Sequence, residues 1–302
     1  MDFALYRTIA RQGGVLTTAQ ARDRYSDWEI RRLVQSGRWR RTRWRGVLAD
    51  AELPDSPLLQ VRAAALAVGP DLVACHSTAA LLWGFDVLGS DVLHFLGPPQ
   101  LVNRRLPGVQ VHPSSLGTED AVLVDGIWCT SAARTACDVV RLAVPIHGLA
   151  TLDAALRAAR CTREQLAVAA AEQGGLRGVV RLRELLPHAS AGAESPMESR
   201  MRWRFIDGGL PAPEVQVRVI GEERSHYLDT GWRDARVGAE FDGLEAHMTR
   251  QQLAADRDRH NWLTERHWIL LHFTAIDVYR RYERMVDTVA GHLGISRQPQ
   301  RS

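Results

Sequence analysis

Apolar residues recur at helical spacing in the first stretch, at Phe3, Leu5, Ile9 and Ala10, until Gly13 and Gly14 stop the pattern. A second short helix is predicted from Thr17–Thr18 in TTAQARDRY, because a threonine oxygen accepts bonds from the orphan amides of a helix start. Ser26 followed by Glu29 is a capping-box pattern that opens a third helix, ended by Gly37, with Trp28, Ile30 and Leu33 expected inward. RWRRTRWRGVLAD then alternates Trp39, Arg41 and Arg43 with Arg40, Thr42 and Trp44, as a two-stranded ribbon does. Three helices and a ribbon over residues 1–52 predict a winged helix-turn-helix, its third helix placed for a major groove and its ribbon arginines for phosphates. A small helical cap with a solvated basic face fits the same pattern.

Residues 56–190 are alanine- and leucine-rich and expected to be mostly helical. PLLQVRAAALAVG and HSTAALLWGF predict helices, and VLHFLGPP and VQVHPSS short strands. VDGIWCTSAARTACDVVRL predicts a strand and then a helix, on which Arg134 and Asp138 pair at i,i+4. HASAGAESP, residues 188–196, is small and polar and reads as a linker. Beyond it, Ser195, Pro196 and Glu198 sit at N-cap, N1 and N3 of a helix. EVQVRVI, YLDTGW and RVGAEFDG predict three strands, TRQQLAADRDRHNWLTERH a helix, WILLHFT a buried strand and AIDVYRRYERMVDTVAGHL a final helix. The fold class is therefore α/β overall: a winged helix (1–52), a mostly helical middle domain (56–190), and a mixed sheet flanked by helices (195–302).

Charge sharpens the first domain. All 38 basic residues are arginine, a composition that GC-rich, arginine-biased codon usage accounts for, and it excludes a Walker A loop, a Schiff base or a lysine-assisted nuclease. The net charge of +3 hides an asymmetry: residues 1–50 hold eleven arginines against five acids, a net +6, leaving −3 for the rest. Double-stranded DNA is the expected partner, with Arg31, Arg32, Arg38, Arg40, Arg41, Arg43 and Arg45 as contacts. No apolar run approaches the ~18–20 residues that span a bilayer, so no membrane partner is expected. Cys75, Cys129, Cys137 and Cys161 lie far apart without a CxxC pair, which suggests neither a disulfide framework nor a zinc site and fits a cytoplasmic, nucleoid-associated protein.

Chemistry concentrates in LDTGWRDARVGAEFDG. Asp229 and Glu240 fall near the ends of adjacent predicted strands, and two such carboxylates can hold one Mg2+ ion. A turn-facing Asp229 and a solvent-facing Glu240 fit equally well. GxSxG, HExxH and a glycine-rich phosphate loop are all absent.

Two resemblances bear on these segments. GGVLTTAQA and IRRLVQSGRWRRTRWRGVL resemble the N-terminal winged helix of AbiEi-type antitoxins, and the His-Ser-Thr-Ala-Ala and Thr-Ser-Ala-Ala-Arg-Thr motifs resemble the portion that follows it, where His76, Arg134 and Asp138 read as structural. ESPMESRMRWRF, YLDTGW, GAEFDGLEAH, ADRDRHNWL and WILLHFTAIDV resemble the PD-(D/E)XK proteins related to very-short-patch repair endonucleases. This second resemblance implies Asp229 and Glu240 as metal carboxylates, Glu198 as the helix glutamate, His247 as a proton-transfer group and Arg259 facing the phosphate. Asp242 departs from the pattern, standing where that family has lysine. The implied activity is a Mg2+-dependent DNA endonuclease (Mn2+ substituting), nicking or cutting duplex DNA in defence or repair. The alternative is an AbiEi-like antitoxin or transcriptional regulator, with a cognate toxin as partner and an inactive nuclease fold.

Overall fold

Strands of three or four residues in the first fifty positions send alternate side chains to two different cores, as a period of two requires. In the computed structural model, which describes residues 3–69, 71–103, 105–113, 120–222, 224–243 and 250–297, the order is α1 (Phe3–Arg11), β1 (Val15–Thr17), α2 (Thr18–Arg22), α3 (Asp27–Gln35), β2 (Trp39–Arg41) and β3 (Val47–Asp50). The antiparallel sheet runs β1-β3-β2. Leu16, Trp39 and Leu48 join Leu5, Ile9, Ala21 and Ile30 in one core. Val15, Trp44, Val47 and Ala49 enter a second, shared with Leu59, Phe95 and Cys129, and the Trp44 indole N–H donates to the Pro107 carbonyl at 3.1 Å. The first 52 residues thus share their packing with the chain that follows.

The Ser26–Glu29 capping box forms as expected. Trp28 does not face inward: it is 60% exposed, and the Arg32 guanidinium lies 5.4 Å from its ring centroid. The cause is angular, since two residues along a helix is about 200° of rotation, which turns Trp28 away when Ile30 is buried.

The start of the middle region, 56–190, carries the short strands expected at VLHFLGPP, VQVHPSS and VDGIWCT, and two further strands complete a five-stranded sheet. It is built by α4 (Pro57–Val68), β4 (Val73–Ala74), α5 (His76–Trp83), β5 (Leu93–Gly97), α6 (Pro99–Val102), β6 (Val109–Pro113), β7 (Ala121–Val124) and β8 (Ile127–Thr130). The strand order is β6-β5-β4-β8-β7, with β5/β6 and β4/β8 parallel. A two-residue β4 has no readable periodicity, so its central place in the sheet escapes sequence reasoning. After β8 comes α7 (Ala132–Leu142), on which Arg134 and Asp138 pair at 2.9 Å.

The chain divides into two compact units, Met1–Asp138 and Val139–Ser302, and the division falls inside α7. The second unit opens with α8 (Pro145–Arg157), α9 (Arg163–Glu172), α10 (Val179–Leu185) and α11 (Pro196–Asp207). Asp153 of α8 is fully buried and meets Arg202 of α11 at 2.7 Å. Asp153 also accepts from the Ser190 amide at 2.6 Å, and Arg157 donates to the Ala193 carbonyl at 2.6 Å. Residues 188–196 are therefore no loose linker: Ala189 and Ala193 are buried, their small side chains letting the backbone approach α8.

Next come β9 (Glu214–Ile220), β10 (Ser225–Trp232), β11 (Val237–Phe241), α12 (Arg250–Glu265), β12 (Ile269–Phe273), α13 (Ala275–Arg280) and α14 (Tyr282–Leu293). The sheet order is β12-β11-β10-β9, antiparallel except for β11/β12. Helices flank it as expected. Trp262 and Leu263 of α12 pack on Val217, Val219 and Leu228, while Phe205 of α11 meets Trp232 and Phe273 edge-on. The last helix is two helices, because Arg281 leaves helical geometry at φ −125° and ψ 26°. Among the described residues no helix is long and apolar enough to cross a membrane.

Candidate functional site

In the second unit, β10 pairs with β11 through Thr230↔Ala239, so one step further along the register Asp229 lies opposite Glu240. Asp229 accepts a hydrogen bond from the Phe241 amide at 2.9 Å. Burial pushes its carboxyl up to about 7; the neighbouring Glu198 and Glu240 carboxylates push the same way, while the Phe241 amide and Arg259 oppose them. Glu198 reaches this neighbourhood from the first turn of α11. Its amide donates to Ser195 Oγ at 3.1 Å, but its carboxylate accepts from the Glu194 amide at 2.8 Å, one residue before the expected capping-box partner.

Glu240 is only 8% exposed, and Arg259 of α12 holds it as a fork. Arg259 Nη1 donates to Glu240 Oε2 at 2.8 Å, Nη2 donates to Oε1, and Nη2 also reaches the Tyr227 carbonyl at 2.7 Å. Arg259, expected to face a phosphate, is thus committed to a carboxylate. Asp242 is exposed at the end of β11, with His272 Nδ1 at 3.1 Å from its Oδ1. His247 lies outside the described residues.

These carboxylates are the hard donors that Mg2+ prefers, yet both Glu240 oxygens already carry a guanidinium, and Glu198, Asp229 and Glu240 are not drawn to mutual ligand distance. A cation shared by Asp229 and Glu240 would compete with Arg259 for the Glu240 carboxylate. As it stands, the cluster stores a proton on Asp229 near neutral pH and neutralises Glu240 internally. The Arg259–Glu240 fork, the Tyr227 carbonyl and the Asp242–His272 contact had no sequence signal, since they join residues 19, 32 and 30 positions apart through the packing of separate elements.

In the first unit, Arg31, Arg32, Arg38, Arg41, Arg43 and Arg45 are exposed along α3, its end and the β2–β3 turn. Arg40 differs: it is half-buried and lies 3.5 Å from Asp55. Trp39 and Trp44, the ribbon's aromatic residues, are both core residues, so only arginines are presented at its surface.

Residues 72–188 match the family described as the AbiEi antitoxin C-terminal domain. The antitoxin resemblance read from the motifs at His76 and Thr130 is carried by that segment, whereas the nuclease resemblance has no counterpart in the match. The chain is also 40% identical over 257 residues to uncharacterized proteins of two Mycobacterium tuberculosis strains, CDC 1551 / Oshkosh and ATCC 25618 / H37Rv, an overlap of 84% of this chain and 92% of each relative. On that identity and coverage, the chain belongs to the family of these mycobacterial proteins, with a segment of the AbiEi antitoxin C-terminal type at its centre.

Proposed function

We propose that the protein is a DNA-binding regulator of the antitoxin type, which grips duplex DNA through α3 and the β2–β3 turn and has a cognate toxin as its protein partner. The AbiEi match over 72–188 carries the reading, together with the six exposed arginines of the preceding segment. Arginine is suited to that task because its planar fork holds phosphate oxygens two at a time. The acidic cluster is in keeping with it: Arg259 occupies Glu240, and Asp242 stands where the resembled nucleases have lysine. The test is fluorescence anisotropy of the full chain on duplex DNA at several salt concentrations, with a cleavage assay in Mg2+ and Mn2+ alongside. Salt-sensitive binding without cleavage is expected. Binding that ignores salt would overturn the proposal.

One observation favours a second reading, a Mg2+-dependent endonuclease. Asp229, lifted to about 7 beside Glu198 and Glu240, has the perturbed carboxyl that catalytic clusters share. In that reading Asp229, Glu240 and Glu198 hold the ion, which when bound supplies Lewis-acid stabilisation of the phosphoryl oxygen. Arg259, released from Glu240, turns to the phosphate. Cleavage in Mg2+ that disappears in Asp229→Asn would put this reading in place of the first.

A further inference from the structure

At the junction of β4 and α5, in the first unit, Cys75 occupies the N-cap position of α5 but makes no side-chain capping bond, and its thiol is fully buried. Serine, threonine, aspartate or asparagine usually serve at an N-cap, so capping does not explain a cysteine there. His76 follows with φ 51°, in the left-handed region that side chains other than glycine rarely adopt. The sheet then brings two more imidazoles to this corner, His94 from β5 and His112 from the parallel neighbour β6. His76 and His112 stack at 4.8 Å with 2° between their planes, and His94 Nδ1 lies 3.0 Å from His112 Nε2. The ligand atoms of Cys75, His76 and His112 all fall within 4.8 Å of one another, and this is the ligand group of that closeness among the described residues.

We propose that Cys75, His76 and His112 form a binding site for a zinc-class transition-metal ion, with His94 as the positioning residue that orients His112. A buried cysteine sulfur, which gives up its proton on binding, together with two imidazoles is the soft and borderline donor set that suits Zn2+, and it is unsuited to Mg2+, which takes oxygen. Zinc bond lengths of ~2.3 Å to sulfur and ~2.1 Å to nitrogen place tetrahedral ligands about 3.4–3.6 Å apart. Binding therefore draws the three side chains together by about an ångström from the 4.8 Å limit, a rotamer-scale movement. Three protein ligands leave a fourth position for water or an outside donor. Covalent chemistry at Cys75 does not fit, because a fully buried sulfur meets no substrate, whereas the half-buried His76 and His112 give an ion a way in. The His94–His112 contact is the arrangement that fixes a ligating imidazole from behind.

The test strips metal from the full chain and titrates it with Co2+ as a spectroscopic probe. About one ion per chain should bind with a thiolate-to-cobalt charge-transfer band, the stoichiometry of one such site. Cys75→Ser should abolish that band, and it keeps the fold because serine is itself a good N-cap. His112→Ala should lose tight binding, and His94→Ala should weaken it about 10–100-fold while keeping the band. Cys161→Ser, in the other unit, should leave it unchanged. X-ray absorption of the zinc-loaded wild type needs no variant: it should show sulfur near ~2.3 Å and nitrogen near ~2.0 Å. A shell of oxygen alone, or a charge-transfer band that survives Cys75→Ser, overturns the proposal.

Discussion

Replacing Asp229 with asparagine should stabilise the second unit at pH 8 and change nothing at pH 4. In the folded chain the Asp229 carboxyl is raised from 3.8 to about 7, through burial first and then the Glu198 and Glu240 carboxylates. The sign follows from proton counts. Below about pH 4 the folded and unfolded chains both hold the proton, so wild type and variant are matched. Between 4 and 7 the folded chain keeps a proton that the unfolded chain has released, and stability drains from the wild type by about 1.36 kcal/mol per pH unit. Above 7 the full difference of about 4 kcal/mol is reached and stays constant. The asparagine amide oxygen still accepts the Phe241 N–H, but more weakly than a carboxylate, which trims the gain to about 2–3 kcal/mol. Urea unfolding of both proteins from pH 4 to pH 8.5 measures this, because titrating groups away from the cluster cancel in the difference, leaving Asp229 and its coupling to Glu198 and Glu240. A gap that does not widen between pH 5 and pH 7 refutes the placement of Asp229 in a buried acidic cluster. Adding Mg2+ at pH 8 should narrow the gap only if the endonuclease reading holds, since a cation relieves the same repulsion.

Three other perturbations have definite outcomes. Arg259→Ala leaves the buried Glu240 without its cation and should cost about 3 kcal/mol in chemical denaturation, with Arg259→Lys restoring only part, since lysine has no two-pronged donor; a loss under about 0.5 kcal/mol counts against the fork. Asp153→Ala strands the buried Arg202 and should cost about 3–5 kcal/mol, while hydrogen exchange at the Ser190 amide accelerates; exchange at the wild-type rate would refute the tether. Arg31→Ala with Arg32→Ala should flatten the salt dependence of DNA binding by about 0.9 in log–log slope for each phosphate no longer neutralised, whereas Arg40→Ala, already turned toward Asp55, should leave it unchanged.

The β-strands of the second unit were legible because Val215, Val217 and Val219 alternate over a long enough run, and the start of α3 because Ser26 and Glu29 are three residues apart. Both signals are local. What stayed hidden depends on contacts distant in sequence. β1 and β4 are three and two residues long, below any detectable period, and only their partners make them strands. Trp28 was misplaced because a nine-residue helix with one fully buried residue has a narrow inner stripe. At the acidic cluster the adjacency of Asp229 and Glu240 could be read from strand order. The preference of Arg259 for Glu240 over solvent could not, because it is fixed by how α12 docks on the sheet. Cys75 and His112, likewise, are joined only by the register of β4, β5 and β6.

The two-faced sheet β1-β3-β2 has a consequence for how such a chain can be inherited and rearranged. Cut after residue 52, the arginine-bearing end would carry Val15, Val47, Ala49 and Trp44 into water and leave the Trp44 indole without the Pro107 carbonyl. A recombination breakpoint there yields a fragment with half its sheet wet, so this end cannot be shuffled onto another effector as a cassette. The two compact units instead divide at residue 138, within the segment that matches the antitoxin family. Lineages that exchange the C-terminal sheet for something else should therefore keep the five-stranded sheet attached to the arginine-bearing helix, and move the seam into α7.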